Sequence, residues 1–378
     1  MHKGAGDAPG EVVMVWIWIG FIVLVLLMLA LDLGVFHRKA HVVSIREALI
    51  WTGVWAGLGL LFGIFIYFAY DNHWLGVGTH VDAVDKQINN GHTALLKYLT
   101  GYVIEKSLSV DNIFVIAVLF GYFAVPRIYQ HRVLFWGILG ALVMRGLMIG
   151  IGTALIAKFS WILYIFGAFL IFTAIKMLTM NSEQTDPGAN WIVRTTRKLI
   201  PVSENFHGQH FLVRAGTHAS HEADVPGHVP LADRVVDAAK PGTLIATPLL
   251  LALVMIEATD LIFAVDSIPA IFAITTDPFL VFTSNVFAIL GLRSLYFALA
   301  GMMERFRYLK VALAIVLAVV GGKMLAHDYL RDLLGPNFNL YLLVVVLSIL
   351  TLGVVVSLLA TRKDKQAAAT EAAVVPHR

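Results

Sequence analysis

The chain has 378 residues, of which 58% are hydrophobic and 14% charged, and its mean hydropathy is +0.79. Soluble domains hold roughly 45–50% apolar and about 25% charged residues, so this is the composition of a membrane protein. With no cysteine there is no disulfide, iron–sulfur cluster or thiolate zinc site, and a formal charge of +3 with its bases gathered in loops supports no nucleic-acid partner.

The N-terminal MHKGAGDAPGE is polar, and an apolar run of about 25 residues follows from Val12. That run is too long for a signal-peptide core and lacks a small-residue cleavage site, so it reads as a retained helix. A transmembrane helix needs about 20 mostly apolar residues. Nine segments qualify: 12–36, 48–70, 98–123, 133–157, 160–180, 247–274, 279–303, 309–326 and 340–361. The expected fold is an all-α, polytopic transmembrane helix bundle of about nine helices with a three-plus-three inverted-topology repeat. It divides into a tail with helices one and two (1–94), a first repeat (95–180), a polar cytoplasmic loop (181–245), a second repeat (246–326), helix nine (327–361) and a cytoplasmic tail (362–378).

Charge orients the bundle. With the N-terminus outside, eighteen lysines and arginines fall on the inner side and five on the outer side, so the positive-inside rule predicts N-out, C-in. The repeat is visible on sliding the sequence along itself. Glu105-Lys-Ser-Leu-Ser-Val-Asp111 matches Asp260-Leu-Ile-Phe-Ala-Val-Asp266; Ile138-Leu139-Gly140 before Arg145 matches Ile289-Leu290-Gly291 before Arg293; and Lys176-Met177-Leu178 matches Lys323-Met324-Leu325. Each copy spans three helices, an odd number, so the second enters the membrane from the opposite side, as in many secondary transporters.

The predicted spans hold Glu105, Lys106, Asp111, Arg145, Lys176, Glu257, Asp260, Asp266, Arg293 and Lys323. Each opposes insertion by roughly 2.5–3.5 kcal/mol at a helix centre unless paired or hydrated. Lys176 and Lys323 lie near helix ends, where they are expected to snorkel. Arg145 and Arg293 read as charge partners of the acids. Glu105, Asp111, Glu257, Asp260 and Asp266, with Asn112 and Ser267, are the candidate metal ligands. On an unbroken helix positions six apart lie about 120° out of register, so Glu105 and Asp111 do not share a face. Pro269 is expected to unwind the turn after Asp266 and free backbone carbonyls for a cation. Glu257 and Asp260, three apart, do share a face.

Away from their ends the spans hold no histidine, so the available ligands are oxygens, which suit Mg, Ca and Mn rather than Cu or Zn. Thr259 and Asn285 add neutral oxygens, or serve only in helix–helix hydrogen bonds. The loop carries His207, His210, His218, His221 and His228 at irregular spacing. Its stretch 214–240, rich in Ala, His and Pro, lacks an apolar period and is expected to order weakly. No phosphate-binding loop, nucleophile elbow or HExxH occurs, so no enzyme and no tightly bound cofactor is expected.

EKSLSVDNIFV at 105–115, TPLLLALVMIEATDLIFAVDSIPAIFAIT at 247–275, DPFLVFTSNVFAILGLRSLYF at 277–297 and LDLGVFHRK at 31–39 resemble the tellurium-resistance TerC family with its Alx-like members. The resemblance implies an integral inner-membrane protein of bacteria, grouped with the LysE-like exporters and linked to tellurite resistance or manganese efflux. It carries the family's acidic positions onto Glu105, Asp111, Glu257, Asp260 and Asp266. The leading expectation is export of a divalent cation, manganese first, with protons as the candidate counter-ion because a buried carboxylate can bind and release H⁺. Its rivals are an oxyanion such as tellurite held by Arg145 and Arg293, and a membrane anchor recruiting a cytoplasmic protein through 181–245.

Overall fold

The structure, a computed structural model, describes residues 9–34, 44–179, 191–217, 232–299, 309–326, 329–330, 334–335 and 338–374. Its helices are α1 (Pro9–Gly34), α2 (Ile45–Asp71), α3 (Gly91–Tyr122), α4 (Arg127–Lys158), α5 (Ile162–Thr179), α6 (Trp191–Leu199), α7 (Arg234–Ala238), α8 (Pro248–Phe272), α9 (Pro278–Ile289), α10 (Leu292–Leu299), α11 (Leu309–Leu325) and α12 (Phe338–Val374). Each of the nine apolar segments coincides with one of them, the seventh being split into α9 and α10. Seven stretches among the described residues are long and apolar enough to cross a bilayer: 14–31, 45–71, 127–158, 162–179, 248–272, 278–299 and 338–361. Helix α3 falls outside that set because Lys97, Glu105, Lys106 and Asp111 interrupt its apolar run, and α11 because it has only 17 residues.

Local chemistry sets the helix ends. Ser44 caps α2 by accepting from Glu47 N at 3.2 Å, and Asn90 and Thr93 form a reciprocal capping box at the start of α3. Asp277 accepts from the Phe279 and Leu280 amides and starts α9 immediately after α8 has ended. Helix α8 runs through Pro269 without a break. The proline sits in the last turn, where its missing N–H leaves only the Val265 carbonyl unserved, so the expected unwinding does not occur there.

Burial shows which helices face lipid. On α1, Ile17, Phe21, Val25 and Leu29 form a single buried stripe at four-residue spacing, while Trp16, Ile19, Leu26 and Leu27 are exposed. Helix α9 is the opposite case: Phe279 through Ile289 are buried almost throughout, so it runs through the middle of the bundle. It packs on α3, and α8 packs on both α3 and α4. Helices α5 and α11 pair closely where Gly167 and Gly321 meet, since a Cβ on Gly321 would stand 2.8 Å from the Gly167 carbonyl.

The polar loop does not behave as expected throughout. Strands β1 (Leu212–Arg214) and β2 (Leu244–Ala246) pair antiparallel, and Val213, Ala215, Val236 and Ile245 close a small core over them. Residues 214–217 and 232–240 therefore belong to an ordered unit, because Val235 and Val236 on α7 supply an apolar face that the composition of the stretch conceals. His218, His221 and His228 lie outside the described residues. The unit is tied to the bundle through Thr247, whose hydroxyl donates to the His210 carbonyl at 2.7 Å, and through Arg132 of α4 stacked over Phe211.

A buried ion cluster between α3, α4, α8 and α9

Arg145 of α4 is 2% exposed and sits at the centre of the bundle. Its Nη1 pairs with Glu105 of α3 and also donates to Ser267 Oγ and Asn285 Oδ1, each at 3.1 Å. Its Nη2 donates to Asp260 Oδ1 at 3.1 Å and its Nε to Asp260 Oδ2 at 3.3 Å. Four helices thus converge on one guanidinium, whose planar fork can serve several acceptors at once. Asn285 is held in turn, donating its amide to the Val281 carbonyl at 3.1 Å. Glu105 is fully buried, and its second oxygen, Oε2, has no hydrogen-bond partner.

Glu257 lies one turn before Asp260 and, as expected, faces the same neighbour, α4. Its carboxylate rests directly on the Cα of Gly140, where any added Cβ would overlap it. Its Oε2 is buried without a hydrogen-bond partner. Glycine at 140 is therefore a notch that admits the carboxylate.

The seven candidate ligands do not gather in one place. Glu105, Asp260 and Ser267 meet at Arg145, with Glu257 alongside. Asp266 turns to α5, accepting from Thr173 Oγ1 at 3.1 Å with Lys176 as its nearby cation. Asp111 looks instead toward Lys310 at the start of α11, and Asn112 is buried on α3 without joining the cluster. The 120° offset between Glu105 and Asp111 on continuous α3 accounts for the first separation, and the absence of a break at Pro269 for the second. Among the described residues no three His, Asp or Glu side chains stand close enough together to hold a metal ion. Arg293 is buried on α10, outside the Arg145 cluster. Thr259 bonds its own helix, donating to the Met255 carbonyl at 2.7 Å.

Lys176 is exposed, but Lys323 does not snorkel as expected. Lys323 is buried, donating to the Ala273 carbonyl at the end of α8 at 2.6 Å and lying over the Phe338 ring. Lys106 donates to the carbonyls of Ala288 at 3.0 Å and Leu290 at 3.4 Å, where α9 ends. Between α9 and α10 the chain turns at Gly291, with φ +82°, against Trp55 of α2. The discontinuous helix that the sequence suggested at Pro269 is thus at Leu290–Gly291.

A second polar network, not anticipated from the sequence, closes one end of the bundle. Asp82, in the loop between α2 and α3, accepts from Lys97 Nζ at 2.8 Å, Thr276 N at 3.0 Å, Thr276 Oγ1 at 2.9 Å and Val84 N at 2.9 Å, as well as from the Thr275 hydroxyl. Asp85 and Asn89 complete the shell of Lys97 at 2.7 and 2.6 Å. Burial alone would raise the Asp82 carboxyl, but Lys97 and the hydrogen bonds prevail and hold it at about 2. Since Lys97 belongs to the first turns of α3 and Thr275 follows the end of α8, these two helices run antiparallel. The signal available in the sequence was the Asp82-Ala-Val-Asp85 pair followed by Lys97 immediately before the apolar run at 98–123.

The sequence profile described as the integral membrane protein TerC family matches residues 90–365. An uncharacterized membrane protein of Myxococcus xanthus is 44% identical over 333 residues, covering 88% of this chain and 89% of its own length. Alx of Escherichia coli K12, provisionally described as a membrane-bound redox modulator, is 45% identical over 302 residues, covering 79% of this chain and 82% of Alx. An uncharacterized membrane protein of Rickettsia felis is 37% identical over 329 residues, covering 87% of this chain and 93% of its own length. No solved structure matches. The profile takes in the whole of the Arg145 cluster and both matched acidic segments, and on that breadth this chain belongs to the TerC family of integral membrane proteins.

Proposed function

We propose that this multi-pass membrane protein moves a divalent cation, manganese in the first instance, out across a bacterial inner membrane, with Arg145 as a resident counter-charge for the cargo's ligands. The observation that carries this reading is the state of the Arg145 guanidinium. Every one of its nitrogens already serves a carboxylate, an amide or a hydroxyl oxygen. An oxyanion would have to displace two carboxylates from it inside a low-dielectric core. A cation has only to replace the guanidinium on Glu105 and Asp260, with Ser267 and Asn285 as neutral oxygens. Hard oxygens of this kind suit manganese or magnesium.

Transport then alternates between two pairings of the same carboxylates, one with Arg145 and one with the ion. Glu257, at the edge of the cluster in the Gly140 notch, is the first carboxylate met from the start of α8, which is the cytoplasmic side in the N-out orientation. The antiparallel course of α3 and α8 supports the inverted repeat such a cycle uses. A thiol-based redox role, which the description of Alx brings to mind, has no cysteine to work with here. The anchor reading has in its favour the ordered unit between α6 and α8, but leaves the Arg145 cluster without a purpose.

The test is manganese uptake into inverted membrane vesicles at matched protein levels. Asp260→Asn removes one carboxylate ligand, which lowers apparent affinity at least about tenfold, equivalent to ~1.4 kcal/mol. Unchanged uptake in both Asp260→Asn and Glu105→Gln would end the cation reading. Tellurite uptake lost on replacing Arg293 alone would favour the oxyanion.

A further inference from the structure

Lys106 follows Glu105 directly on α3, yet it serves a different structure. Its ammonium meets no carboxylate among the described residues; the acceptors it has are the carbonyls of Ala288 and Leu290. Those carbonyls face it because α9 stops there. Leu290 leaves the helix with ψ 130°, Gly291 turns at φ +82°, and α10 resumes at Leu292. The last carbonyls of a helix have no intrahelical partner and carry the negative end of its dipole, so they attract a cation. Discontinuous helices in secondary transporters use such carbonyls to bind alkali ions.

We infer that Lys106 is a tethered cation. Its ammonium occupies a carbonyl site at the α9–α10 break that accepts a small monovalent cation, an alkali ion or an alkylammonium, once the lysine side chain is removed. An ammonium group is close in size to a potassium ion, and its attachment to α3 makes the site permanently filled. The break therefore needs no dissolved monovalent ion to hold its shape. Glu105 grips Arg145 and Lys106 grips the break from adjacent positions, while Asn285, on the same helix as the break, also bonds Arg145. A motion of α3 is thereby transmitted to both the ion cluster and the turn at Gly291.

The experiment uses the full chain, purified into nanodiscs, and follows the thermal midpoint by intrinsic tryptophan fluorescence. Lys106→Ala and Lys106→Met are compared with the native protein in choline, sodium, potassium and methylammonium chloride at equal ionic strength. The expected result is a midpoint for Lys106→Ala that is lower in choline and rises saturably with at least one of the three small cations. Lys106→Met, whose apolar stem fills part of the space, should respond more weakly, and the native protein should not distinguish the four salts. Absence of any difference from choline in both variants overturns the inference, as does an equal response in the native protein. Failure to recover either variant in all four salts also overturns it, because the ammonium would then not be replaceable by a free ion. No metal flux is measured, so the outcome is independent of what the Arg145 cluster transports.

Discussion

Replacing Arg145 by glutamine tests whether the ion cluster holds the bundle together. The arginine is 2% exposed, and its partners Glu105 and Asp260 are 0% and 15% exposed at their side chains. Glutamine keeps two hydrogen-bonding groups but leaves two carboxylates facing one another without a counter-charge. Breaking a buried pair by removing one partner costs about 3–5 kcal/mol, because the other charge stays in a medium that cannot solvate it. Asp260 retains some access to water, so most of the cost falls on Glu105. The double variant Arg145→Gln/Glu105→Gln should therefore recover at least about half of the loss, a coupling well above the roughly 0.5 kcal/mol that separates additive sites. The assay is the temperature at which half of the detergent-solubilised protein leaves its monodisperse size-exclusion peak, read as a ranking because membrane proteins unfold irreversibly. The expected order is native, then double variant, then single variant. A single variant as stable as the native protein, or a double variant less stable than the single, would refute the reasoning.

Gly140→Ala should expel the Glu257 carboxylate from its notch at an overpacking cost of about 1–3 kcal/mol; because the clash is with the far end of a flexible side chain, the protein should still fold, with manganese uptake as impaired as in Glu257→Gln. Gly291→Ala meets both a positive φ and Trp55, whose Cβ would stand 2.6 Å from the new methyl, and should lower stability by at least about 2 kcal/mol, only part of which is recovered by Trp55→Ala. The Asp82 network gives a pH dependence of known sign. The folded value of about 2 lies below the ordinary 3.8, so the stabilisation is complete above about pH 4 and is lost as pH falls through about 2, amounting to ~2 kcal/mol. Protease protection of the 77–90 loop should thus be the same at about pH 5 as at about pH 7, and cleavage confined to that loop at about pH 5 would contradict the assignment.

Hydropathy made the helices legible because a bilayer demands the same thing of every span: about 20 apolar residues with their backbone bonds satisfied internally. It could not show where a helix breaks. Pro269 was the conspicuous candidate, yet in the last turn of α8 a proline removes a single hydrogen bond. Gly291 is one glycine among 31, and only its packing on Trp55 and the carbonyls it exposes to Lys106 distinguish it. The two ends of the stretch 214–240, residues 214–217 and 232–240, were misjudged for a related reason. Val235 and Val236 are too few to register as a period, but with Val213 and Ile245 across a two-stranded sheet they suffice for a core.

The candidate site was legible as an inventory and not as a grouping. Charge balance alone says that intramembrane acids and bases must pair, since each left single opposes insertion by a few kcal/mol. It does not say which pairs form. Helical periodicity went part of the way: Glu105 and Asp111 do diverge, and Glu257 and Asp260 do face α4 together. What it could not supply was the depth at which α4 and α9 cross α3, which brings Arg145 and Asn285 to Glu105 and leaves Asp111 to Lys310. The matched positions Asp111 and Asp266 invite the idea of one symmetric site, but matched positions in an inverted pair need not meet. Each faces the third helix of one repeat, Asp266 at Thr173 on α5 and Asp111 at Lys310 on α11. Helices α5 and α11 pack on each other. The two aspartates, on α3 and α8, thus each face one member of the α5–α11 pair, which is why neither joins the carboxylates at Arg145.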